Sequence, residues 1–141
     1  MSDKLENPKL FFGLALITSI VTAVGLFVSD FGGYYVPYVG WFWLSAGPLL
    51  IFIGVLYIFV AIICLLGIGI IDYELPNKAY LGASLFSLAM FIIFIIAGIT
   101  FAVIMAIDDY EAWFEFAFYA GVIGSPLTGG FLFLGYRTLT S

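Results

Sequence analysis

Of 141 residues, 65% are hydrophobic and only 9% charged, the formal net charge is −5, and histidine is absent. A soluble domain of this size has too little interior for that much apolar surface. Imidazole metal sites, histidine haem ligation and histidine-based catalysis are excluded. Four Lys and Arg residues are too few to follow a nucleic-acid backbone, and the single cysteine, Cys64, allows neither an internal disulfide nor a CxxC pair.

Four apolar runs dominate the chain, at 10–28, 41–71, 79–107 and 112–136. Each meets or approaches the ~20 residues that cross ~30 Å of hydrocarbon as a helix. The expected fold class is therefore an all-α integral membrane protein, one domain, a four-transmembrane-helix up-down bundle.

The first run follows Asn7-Pro8, where proline suits a first helical turn because its missing N–H would be unpaired anyway. No small-residue cleavage site follows the run, which is expected to be a retained anchor. Ala15, Ser19 and Ala23 set small residues at every fourth position within it. The segment Phe31-Gly32-Gly33-Tyr34-Tyr35-Val36-Pro37-Tyr38-Val39-Gly40 comes next and leads into Trp41, Phe42 and Trp43. Tyr34, Tyr35, Tyr38, Trp41 and Trp43 read either as an interfacial loop at headgroup level or as an aromatic platform for a lipid or partner.

The second run is longer than a bilayer requires. Tilt, an interfacial first turn or a kink at Gly47-Pro48 would each absorb the excess. A short loop, Asp72 to Lys78, joins the second and third runs and is expected to make them antiparallel neighbours. The third run carries a small-residue row at Gly98, Ala102 and Ala106. Asp108-Asp109-Tyr110-Glu111 then turns tightly into the fourth run. Glu115 is expected in that run's first turn, beside the positive end of the helix dipole. Asp108, Asp109, Glu111 and Glu115 together form a weak candidate cation site, with no recognised metal-loop spacing.

The fourth run has the most specific pattern. Ala117, Gly121, Ser125 and Gly129 make one stripe of small residues, and Ala120, Gly124 and Thr128 make a second. Such stripes let helices approach to backbone distance in lipid, where apolar burial drives little association. One stripe is expected to pack on the third helix and the other to accept a further helix, so Gly121→Leu and Gly124→Leu should differ, one harming folding and one assembly. Gly124 to Gly130, with Pro126 inside, can also be read as a broken helix offering carbonyls to an ion, although no charged residue lies near it.

All four cations, Lys4, Lys9, Lys78 and Arg137, fall on one side of a four-crossing chain, which the positive-inside rule makes cytoplasmic together with both termini. Asp30, Asp108, Asp109, Glu111 and Glu115 then share the opposite side of a membrane, the expected one being the cell membrane. No nucleophile–base pair, phosphate loop or dinucleotide fingerprint occurs, so the expected function is non-catalytic, with no cofactor and no metal. The chain reads as a structural or assembly subunit of a membrane complex or homo-oligomer, its partners being membrane lipid and other transmembrane helices. The alternative is a small channel or transporter for an ion or apolar solute, with 124–130 at its site. If the orientation holds, a cysteine placed at Asn77 stays unlabelled by impermeant reagents applied to intact cells.

Overall fold

The computed structural model describes residues 8–44, 47–69 and 75–140. Lys4 with the rest of 1–7, Ser45 and Ala46, the end of the second run at 70–71, Asp72 to Glu74 and Ser141 lie outside them. The elements in chain order are α1 (Pro8–Val28), β1 (Gly32–Val36), β2 (Gly40–Leu44), α2 (Gly47–Ile68), α3 (Asn77–Ile107), β3 (Glu111–Phe114) and α4 (Phe116–Thr140). Four of these helices are long and apolar enough to cross a membrane.

The chain is mostly helical but not all-α. The first residues of the second and fourth runs, expected to be helical, are strands. β1, β2 and β3 form one antiparallel sheet in the order β2-β1-β3, with Tyr34 opposite Phe42 and Ala112, and Tyr35 opposite Trp41 and Glu111. Hydropathy alone does not separate a short apolar strand from the start of a helix. Tyr, Trp, Phe and Val favour the pleated surface, and the turn decides the matter. Val39 N–H bonds to Val36 O at 3.1 Å, Pro37 holds the second turn position, and Tyr38 has φ +68. That is the pattern of a type II turn, whose third position normally takes Gly or Asn. Moving 41–44 into the hairpin removes the excess length of the second run. Gly47-Pro48 opens α2 instead of kinking it, since an N-terminal proline has no helical N–H bond to lose.

The α3 end explains the tight turn that follows it. Asp109 N–H bonds to Ala106 O at 3.1 Å and Tyr110 N–H to Met105 O at 2.9 Å, with Asp109 at φ +58. These bonds make a Schellman motif with aspartate in the left-handed position. The chain then enters β3, and Glu115 N–H extends the pairing to Phe31 O at 3.1 Å.

α1 packs along both α2 and α4, and α4 packs along α3, while α2 and α3 touch only sparsely. The lateral order is therefore α2-α1-α4-α3. The short loop does not make α2 and α3 close neighbours as expected; an open apolar cleft lies between them. Phe12 fastens one end of the bundle: it is fully buried, its ring 4.6 Å from that of Tyr80, against Gly67 and Gly135. At the sheet end Phe31 is the hub, in ring contact with Phe94, Phe101, Phe114 and Phe118.

Tyr38 is fully exposed, so its positive φ is strain with no packing in return. Tyr38→Asn is expected to raise stability by up to ~1 kcal/mol, measured as a higher midpoint in thermal unfolding in detergent.

Candidate functional site

The two small-residue stripes of α4 face different neighbours, and both neighbours belong to the same chain. On the first stripe, a Cβ at Gly121 would lie 2.5 Å from Phe94 Cδ1, and one at Gly129 would lie 2.9 Å from Leu88 Cγ; both partners are on α3. Ala117 and Ser125 on that stripe are fully buried. On the second stripe, Gly124 meets Thr22, and Ala120 sits against Gly25, both on α1. α1 lies along the second stripe, leaving an outer apolar groove lined by Thr18, Thr22, Ala120 and Gly124, while the small row Ala15, Ser19 and Ala23 of α1 is fully buried. In the α3 row, Gly98 seats Phe118, whereas Ala102 and Ala106 border a cavity at the sheet end.

Hydroxyl groups connect the same helices. Ser125 on α4 shares a short hydrogen bond with Tyr57 on α2. Thr128 shares one with Thr18 on α1 at 2.8 Å, and Ser84 on α3 donates to Gly129 O at 2.7 Å. Three successive stations of α4 are thus bonded to three different helices. The helix runs through Pro126 without interruption, and the polar groups of 124–130 that an ion would use are engaged by the protein itself. Ser87, fully buried, faces Tyr57 but has no hydrogen bond of good geometry. Sequence reasoning missed Tyr57, Ser84, Ser87 and Thr18. Their signal was available, since a hydroxyl inside an apolar run must find a partner.

The expected aromatic platform is divided by strand alternation. Tyr34 stacks with Phe42 at 5.5 Å and with Tyr110 at 6.0 Å on one face. Tyr35 and Trp41, 4.7 Å apart, lie on the other with Trp113, whose ring is 5.3 Å from that of Trp41. Tyr38 stands alone at the hairpin tip. Trp43 of β2 pairs its backbone with Gly33 of β1, and its side chain is outside the described set. Trp113 covers Gly33, where any Cβ would strike the indole.

The carboxylates do not converge. Among the described residues no three Asp, Glu or Cys groups are placed to hold a metal ion. Asp108 and Asp109 cap α3, and Glu111 is paired opposite Tyr35 in the sheet. Glu115 lies just before α4 rather than in its first turn, and its Oε1 accepts the Trp113 Nε1–H at 2.8 Å. Beside them is a cavity of about 220 Å³, bordered by Phe101, Met105, Tyr110, Ala112, Trp113 and Phe114 as well as Ala102 and Ala106.

No protein-family model matches the sequence, and no curated protein or solved structure matches it.

Because both glycines press on side chains of the same chain, Gly121→Leu and Gly124→Leu should both destabilise the fold, by about 1–3 kcal/mol or more. Gly130, where a Cβ meets nothing within 4 Å, should accept alanine. Yields of monodisperse protein by size-exclusion chromatography check all three.

Proposed function

We propose that this chain is a non-catalytic integral protein of the cell membrane, an up-down bundle with both termini cytoplasmic. In this reading it acts as an assembly subunit by docking another transmembrane helix on the open side between α2 and α3. The observation that carries the reading is the apolar cleft there. Its half nearer the sheet is lined by Leu49, Leu50, Ile53, Ile93 and Ala97, and the other half by Leu56, Phe59, Val60, Ile63 and Ala83. Most small residues of α4 are buried against other helices, but Gly82, Ala89 and Ala97 of α3 remain exposed. A Cβ at Gly82 would meet nothing within 4 Å. Exposed small residues beside bulky Leu85, Ile92 and Ile96 are the surface on which helices associate in lipid, through close packing.

The channel or transporter reading has less support. The hydroxyls of the 124–130 segment are bonded within the bundle, and Tyr57, Phe12 and Leu132 fill the interior without exposure. Flux through proteoliposomes containing only this chain would restore it.

Native mass spectrometry in mild detergent provides the test. The unmodified chain should carry a second copy or a stoichiometric partner subunit. Ile93→Trp should remove it, whereas Ile123→Trp, on the exposed flank of α4, should not. A chain that is monomeric and partner-free before any substitution would defeat the proposal.

A further inference from the structure

We propose that the cavity between the C-terminal turns of α3 and strand β3 binds a small, phosphate-free organic cation carrying a methylated ammonium group. This proposal does not depend on the assembly reading. The walls are aromatic and soft: Phe101 and Phe114 meet as a corner, 5.8 Å apart at 56°, with Met105 and Tyr110 completing it. Tyr110 is backed on one side by the stacked ring of Tyr34 and is held beside Met105 by the Schellman turn. Ring faces attract cations within ~6 Å through their quadrupoles.

Charge near this cavity has one sign. Asp108 and Asp109 lie in the chain between the lining residues Ala106 and Tyr110, and the negative end of the α3 dipole falls at the same place. Among the described residues, Lys9, Lys78 and Arg137 belong to the opposite end of the bundle. Cations are therefore concentrated here, within the ~8–10 Å over which salt leaves a surface field effective.

The lining also selects the kind of cation. A metal ion needs several converging ligands, and among the described residues no three Asp, Glu or Cys groups are so placed. A primary ammonium would find no carboxylate on this wall and would give up strong hydration to enter. A methylated ammonium has no such demand, and its diffuse charge suits ring faces. A phospholipid headgroup would bring a phosphate to an acidic rim with no Lys or Arg among its described residues, so a soluble cation fits better.

The test uses the full chain in a maltoside detergent, titrated with tetramethylammonium chloride and, at equal ionic strength, with ammonium chloride, followed by intrinsic fluorescence and calorimetry. Tetramethylammonium should saturate and ammonium should not. Tyr110→Leu should weaken binding by about fivefold or more. Asp109→Gly keeps the left-handed turn while removing a charge, and should weaken binding a few-fold, most at low salt. Tyr38→Asn, remote at the hairpin tip, should bind as the parent does; circular dichroism confirms that each variant is folded. Equal responses to both salts, no saturation, or parental affinity in folded Asp109→Gly and Tyr110→Leu would overturn the proposal. So would loss of the tetramethylammonium response in phosphatidylcholine but not phosphatidylglycerol nanodiscs, which would assign the cavity to a lipid headgroup.

Discussion

The bundle depends on the seating of aromatic rings on glycine. Phe12 rests on Gly67 and Gly135, Phe27 on Gly54, Phe94 on Gly121, Phe116 on Gly25, Phe118 on Gly98, and Trp113 on Gly33. Each pair puts a large flat surface where a neighbouring backbone has no side chain. Between apolar helices in lipid, no gain comes from escaping water, so dispersion contact at short range has to supply the attraction. The matching abundance of the two residues, 16 Phe and 16 Gly, fits that requirement.

Hydroxyl bonds add direction to this packing. Ring-on-glycine contacts tolerate some sliding, but Ser125 with Tyr57, Thr128 with Thr18 and Ser84 with Gly129 O fix the height of α4 against α2, α1 and α3. Such bonds contribute on the order of 0.6–2 kcal/mol each in membrane proteins, and their greater effect is on register. α2 lies along α1 and α3 along α4, and these two outer helices have little contact with each other. The cleft that forms the proposed docking side follows from that separation.

Much of this was legible in the sequence. The spans were visible because hydropathy over some 20 residues is a strong signal, and on the fourth run the small stripes lie against α3 and α1. What the stripes face was not legible, since a groove looks the same whether a neighbour comes from its own chain or from another. The sheet was missed because Trp41 to Leu44 joins the second apolar run without a break in hydropathy, and because Ala112 to Phe114 was counted with the fourth run across Glu115. Pro37 and Tyr38 form a turn whose left-handed residue is not glycine, so its usual mark was absent. Phe31 looked like a loop residue, and only the folded strands reveal it as the hub of the sheet end. The cavity also escaped notice, because Phe101, Tyr110 and Phe114 meet only after the Schellman turn folds the chain back on α3.

Strand β3 is only four residues long and is anchored at both ends, by the α3 cap and by the start of α4. Side chains alternate along it, with Phe114 turned to the phenylalanine hub and Trp113 to the opposite face over Gly33. A single inserted or deleted residue between Tyr110 and Glu115 would invert that alternation. The indole would be driven into the hub, Gly33 would lose its cover, and α4 would enter the bundle rotated by about 100°. This short link therefore acts as a phase lock, setting the angle at which α4 meets the other helices.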